Sequence, residues 1–372
     1  MMRTRLVCLA IAALVSALSA APACAVTDDD VAKAIEKGRE YLIGRQLPSG
    51  LWPEEGQAKA FVARGNSEIA FFTLCYFNEH PNRPHMSKGA EVMIPRNLGD
   101  TRTVGLHAMA LAALHNMLLG DRREQFRAAI KADVAWLAAA QGSHGGWGAK
   151  SLSGGSGPAD ITSTLVALQA LRDAVRRGIE VPEAVWQPAQ RFCLERQQPD
   201  GGWNSGEAGA PSCGSMTAAG VASLFLTFEA SQLGAPCSRH GEMPAKMREV
   251  EQRMDAGMAW LSREFTLEAD PKAPASGEAR KLFWLCAAEA AAVPLGCKYF
   301  GAHDWYKEGA EYLVKSQAAD GSWGDLPGTC FALLFLLDGR KPVVMSKLRF
   351  DGNWNSHPMD VYNYVSYYTR LK

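Results

Sequence analysis

One short signature recurs four times along the chain: Gln, four residues on Gly, and two more on Trp. It runs Gln46–Gly50–Trp52, Gln141–Gly145–Trp147, Gln197–Gly201–Trp203 and Gln317–Gly321–Trp323. An aromatic ring precedes each Gln by five residues: Tyr41, Trp136, Phe192 and Tyr312. A repeat of this kind governs the architecture, because each unit must bury its apolar face against its neighbours. Each signature closes a polar-faced segment with apolar residues near the 3.6 period: Asp28–Gln46, Arg123–Gln141, Pro182–Gln197 and Asp304–Gln317. Pro48 and Gly50 are stop signals for the first of these, and Asp28 and Asp29 suit its start.

Between them lie segments apolar nearly all round, the pattern of helices buried on every side: Ser67–Phe77, Thr103–Leu119, Ile161–Arg176, Met216–Ser231, Arg280–Ala292 and Thr329–Leu337. Two more polar-faced segments, Ser87–Met93 and Val250–Phe265, lack the signature but complete the alternation. The expected fold is all-α: a closed α6/α6 double-ring toroid with a short irregular C-terminal tail. An open helical array is the rival reading. The chemistry of the signature gives it a structural part. Gly permits φ > 0, Trp brings a large apolar area, and the Gln amide and indole N–H can each donate to a backbone carbonyl. Together they would pin one outer helix to the next.

The domain reading is a signal peptide over 1–25, the toroid over 26–340 and a tail over 341–372. Arg3 and Arg5 precede the apolar run Leu6–Leu18, and Ala23-Cys24-Ala25 fits a small-residue cleavage site. Export to the periplasm or medium is therefore expected; a lipoprotein acylated at Cys24 is the alternative. Lys plus Arg and Asp plus Glu both number 39. That balance gives no basic field for nucleic acid. No later stretch is apolar for the ~20 residues a membrane span needs. Of nine cysteines, seven follow the signal segment. Cys75 and Cys286 read as buried small hydrophobes, and Cys237 and Cys297, in loop-like segments, as disulfide candidates.

The segment Lys37-Gly38-x-x-Tyr41-Leu42-x-x-x-Gln46-x-x-x-Gly50-x-Trp52 resembles the QW repeat of squalene–hopene and oxidosqualene cyclases. The chain from Val31 to Leu337 is similar to the terpenoid-cyclase/protein-prenyltransferase toroids. Lys298–Tyr306 with Glu308–Leu313 further resembles exported bacterial prenyltransferase/squalene-oxidase repeat proteins, and Lys347–Pro358 the opening of a further domain in their longer relatives. The resemblance implies the fold and leaves the reaction open.

The acid of such cyclases lies in an Asp-rich motif starting a buried helix. The matching place here, Pro158-Ala159-Asp160-Ile161-Thr162-Ser163, keeps one carboxylate, Asp160, which is either that acid or an N-cap. A prenyltransferase-type zinc site would draw on Cys213, Cys330, His107 and Asp160, but the family's ligand arrangement is missing, so no metal and no cofactor is expected. Glu68 reads as a helix-start cap. His107 is a candidate pointing into the lumen. Arg280 and Lys281, ahead of Phe283 and Trp284, could meet an anionic head group, and Trp284, Cys213 and Cys330 complete the binding candidates. Two functions follow. One is a toroid with no complete catalytic set that binds a lipid, an isoprenoid or a protein partner. The other is an isoprenoid-processing enzyme of squalene-cyclase type with Asp160 as its acid.

Overall fold

The structure is a computed structural model, and it describes residues 26–54, 65–96, 98–149, 158–207, 209–232, 245–274 and 278–339, together with 360 and 364. Residues 1–25, where a signal peptide is expected, the tail from 341 onward apart from those two residues, and Cys237 lie outside the described residues.

Among the described residues there are twelve α-helices, a single 3₁₀ turn and one minimal strand pair. The outer, polar-faced set is α1 (Asp28–Gly44), α3 (Pro84–Met93), α5 (Gly120–Ala140), α7 (Trp186–Arg196), α9 (Ala245–Glu264) and α11 (Trp305–Ser316). The inner set is α2 (Asn66–Cys75), α4 (Thr101–His115), α6 (Ile161–Arg176), α8 (Gly214–Gln232), α10 (Glu278–Ala292) and α12 (Leu326–Asp338). Strands β1 (Tyr299–Phe300) and β2 (His303–Asp304) form a tight antiparallel hairpin ahead of α11.

The inner helices pack in cyclic order. α2 lies on α4, α4 on α6, α6 on α8, α8 on α10 and α10 on α12, and α12 returns to α2. On the outside, α11 likewise returns to α1. All ten residues of α2 and nearly all of α12 are buried, because each inner helix has an outer helix behind it and an inner helix on either flank.

The caps follow simple chemistry. Thr27 and Asp30 form a capping box on α1, with Thr27 rather than Asp28 at the N-cap. Asp100, Asp160, Asp304 and Asp325 cap α4, α6, α11 and α12 with their carboxylates. Glu68 is not a solvent-facing cap: it is wholly buried in α2, and Arg96 Nε lies 2.5 Å from its Oε1.

All four signatures adopt one geometry. Each Trp Nε1 donates to a carbonyl ten residues back, at Leu42, Leu137, Cys193 and Leu313, over 2.7–2.9 Å. Each Gln Nε2 donates twice. One bond goes to the carbonyl of its own Gly, and the other crosses to the next outer helix or the turn that opens it, at His85, Val185, Arg253 and Ala34. The last of these, Gln317 to Ala34 at 2.8 Å, joins the two ends of the sequence. The signature glycines hold φ between 89° and 91°. A Cβ there would lie 2.1–2.8 Å from a carbonyl oxygen of the adjoining outer helix, so only Gly admits both the turn and the approach.

Candidate functional site

An inner helix meets protein on three sides, so a slightly exposed residue in its middle must face the space the ring surrounds. Such residues fall at helical spacing. On α4 they are Arg102, Leu106, Met109 and Ala113; on α12, Phe331, Leu334 and Asp338. The same stripe runs through Phe72 and Tyr76, through Leu165, Gln169 and Arg172, and through Phe283, Cys286 and Ala290. The middle of this lining is apolar, with Phe283 and Phe331 in edge contact at 5.5 Å. Both ends are polar.

At the N-terminal end, Asp160 is fully engaged. Its Oδ1 accepts from the Ser163 amide at 2.7 Å and from the Thr162 hydroxyl at 2.6 Å, and its Oδ2 accepts from the Ser163 hydroxyl at 2.7 Å. Arg102 of α4 bonds the Thr162 and Ser163 hydroxyls and lies 3.5 Å from Oδ1. A general acid must present a labile proton to its substrate; here both carboxylate oxygens accept from the protein.

Also before an inner helix, Cys213 and Arg280 come together over a residue that pattern reading missed. Asp270 is buried, accepts from the Ser215 amide at 2.8 Å and hydroxyl at 2.6 Å, and receives Arg280 Nε at 2.8 Å. Arg280 Nη2 sits 3.7 Å from Cys213 Sγ. Burial, then the Asp270 charge, pushes the Cys213 thiol up. The guanidinium is thus already committed to a carboxylate.

The remaining candidates lie elsewhere. Trp284 is buried and donates to the Thr266 carbonyl at 3.0 Å. Lys281 Nζ stands over the Tyr312 ring, 3.6 Å from its centroid. Cys330 is buried in α12, which pushes its thiol up to about 12. His107 points outward to α3 and α5 rather than into the ring, with Nε2 2.8 Å from the Met93 carbonyl and Nδ1 2.7 Å from Asp133 Oδ2. Asp160, His107, Cys213 with Arg280, and Cys330 therefore occupy separate places. Cys297 is a free thiol in the structure, not half of a disulfide. Among the described residues, no three His, Cys, Asp or Glu side chains gather as a metal would require.

The C-terminal end of the ring carries a polar group that the sequence did not disclose. Tyr76, at the end of α2, is 37% exposed, yet burial is the chief cause that raises its phenol well above the ordinary value. The charges of Asp338, Asp173, Arg172 and Glu289 also act on it. Asp173 and Glu289 belong to α6 and α10, which do not flank α2. The side of Tyr76 that their charges act on is the one its helix turns toward the space the ring surrounds. Cys286 feels Glu289 and Asp338 there too, and burial again raises its thiol most.

No known protein family and no curated protein matches the sequence. Solved structures do resemble it. The apo type II terpene cyclase MstE from Scytonema superposes with a TM-score of 0.52 at 14% identity, covering 84% of this chain and 98% of that one. A variant of MstE in complex with geranylgeranyl dihydroxybenzoate, its substrate, gives 0.51 at 13% identity, covering 83% and 97%. The fold is that of the terpenoid-cyclase-like α/α toroids. A possible member of the GH105 family from Salmonella enterica serovar Paratyphi A also matches this toroid, with a TM-score of 0.58 at 13% identity over 86% and 96% of the two chains. Proteins described so differently share one scaffold, so the scaffold does not choose the reaction. No described helix of the toroid is long and apolar enough to cross a membrane.

Proposed function

We propose that the toroid holds the apolar body of a lipid or isoprenoid-type ligand in the space its inner helices surround, and that it does so without cyclase chemistry at Asp160. The observation that carries this reading is the lining. An apolar middle band (Phe72, Leu106, Phe283, Phe331 and Leu334) separates a polar end at Arg102 from another at Tyr76 and Asp338. Such a band suits an extended apolar chain with a polar terminus, since apolar burial supplies about 25 cal/mol per Å². MstE, whose fold the chain shares, has been captured with a geranylgeranyl-bearing substrate. The occupied lone pairs of Asp160 weigh against an acid there. We further propose export, on the basis of the N-terminal segment, with cleavage before Val26.

The test is native mass spectrometry of the mature protein with squalene and with geranylgeranyl diphosphate, followed by product analysis. Retention of an unaltered ligand, abolished by Leu334→Asp in a folded protein, supports the reading. No association with either ligand would overturn it. Turnover that disappears in Asp160→Asn would establish the alternative, an isoprenoid-processing enzyme with Asp160 as its acid. N-terminal sequencing of the exported protein checks the cleavage site, and acyl labelling at Cys24 would replace cleavage with a lipid anchor.

A further inference from the structure

Four outer joints carry a Gln bridge, and the joint between α3 and α5 does not. The inner helix α4 supplies a substitute. His107, 1% exposed, reaches the Met93 carbonyl at the end of α3 with Nε2 and the Asp133 carboxylate on α5 with Nδ1. A carbonyl oxygen only accepts, so Nε2 carries a hydrogen. The 2.8 Å and 2.7 Å contacts then need one more proton, on Nδ1 or on Asp133. Without it, the Nδ1 lone pair would face a carboxylate.

We propose that one proton shared by His107 and Asp133 holds the α3–α5 joint closed, and that this sector of the ring loosens as pH rises and the proton passes to solvent. Every element around His107 bears on the balance. Glu68 of α2 is buried beside Arg96, three residues past the end of α3. On α3 itself Lys88 and Glu91 are exposed and His85 pairs with Glu79. On α6 the charged groups stand at its ends, Asp160 before it and Arg172, Asp173 and Arg176 in its last turns. Burial works against the imidazolium, but the Asp133 hydrogen bond and charge, Met93 and Glu68 together hold His107 above its ordinary value. Burial also raises Asp133, against the pull of His107. Both shifts favour the protonated pair. The stabilisation is complete below the ordinary histidine value of about 6.5 and is lost as pH climbs through the raised folded value.

The test is hydrogen exchange of the mature protein from pH 6 to pH 9, corrected for intrinsic rates and read on α3, α4 and, as a reference, α7. Protection of α3 and α4 should fall by up to about tenfold per pH unit from the ordinary histidine value of about 6.5 up to the raised folded value and then level off, while α7 stays level. In Asp133→Asn, the amide can donate to a neutral Nδ1 while Nε2 keeps Met93, so the joint should stay closed and the pH dependence vanish. Histidine nitrogen shifts in the unaltered protein provide a second reading, with the His107 signals titrating above pH 6.5. Level protection of α3 and α4, an equal fall at α7, an unchanged slope in Asp133→Asn, or His107 titrating at or below the ordinary value would each overturn the proposal.

Discussion

The joints between neighbouring outer helices are of two kinds, and the contrast shows what holds this ring. At α1–α3, α5–α7, α7–α9 and α11–α1, a backbone turn, an indole and a primary amide make the same bonds each time. None of those groups titrates. The other two joints are improvised from side chains. At α9–α11 the hairpin inserts an aromatic cluster: Phe300 stacks on Phe265 at 5.4 Å, and Trp305 lies 6.5 Å from Phe300. At α3–α5 the buried bridge is the His107–Asp133 pair, beside a long bond of 3.5 Å from Arg122 Nη2 to the Ser87 hydroxyl. Repeated joints thus depend on shape and neutral hydrogen bonds, and the unrepeated ones on ring packing or on a proton.

Mutations can break or sharpen that contrast. The largest loss should come from Trp147→Ala, which empties a wholly buried indole site and strands the Leu137 carbonyl; a cost of about 3–5 kcal/mol is expected in denaturant unfolding. Phe300→Ala should cost nearly as much, because the aromatic joint rests on the same kind of burial. A trivial loss at Phe300 would mean that the hairpin merely covers the joint.

Gly145→Ala comes next. Its φ of 91° strains an L-residue by about 1–3 kcal/mol, and a Cβ would lie 2.1 Å from the Pro188 carbonyl oxygen. Gly44→Ala is the control, since its Cβ would meet nothing within 4 Å, and a melting curve should show it level or slightly raised. Gln141→Ala deprives two carbonyls, Gly145 and Val185, of their donor and should cost about 1–3 kcal/mol with no dependence on pH. A slope with pH in that variant would erase the distinction between the two kinds of joint. The smallest effect is kinetic. Burial pushes the Cys193 and Cys330 thiols up to about 12, so an alkylating reagent at pH 8 should label them only after denaturation.

The helical alternation was legible because the outer segments keep their own period and four of them end in the signature; the expected and observed ends of α6 coincide, and the others differ by at most five residues. The bonds of Gln and Trp were legible for the same reason, since ten and four residues separate them from their local acceptors. A third partner was not. The Trp amides donate to hydroxyls of Ser67, Thr164, Thr217 and Thr329, which follow their Trp by 15, 17, 14 and 6 residues. Loops of unequal length hide that pattern from any fixed spacing.

The site was harder still. Asp160 could be read as a cap from its own next three residues. Asp270 was hidden because its partners, Ser215 and Arg280, arrive from opposite directions along the chain. Tyr76 was missed because the charges that act on it, Asp173 among them, come from helices remote in sequence, and Glu68 because its partner Arg96 comes from beyond the end of α3.

Closure of the ring is the central claim, and Gln317 tests it most directly. Hydrogen exchange should be compared between the unaltered protein and Gln317→Ala. A ring joined through the Ala34 carbonyl requires α1 and α11, nearly three hundred residues apart in sequence, to lose protection together, as α5 and α7 should in Gln141→Ala. Loss confined to α11, with α1 unchanged, would contradict a closed ring and leave an open array of helices.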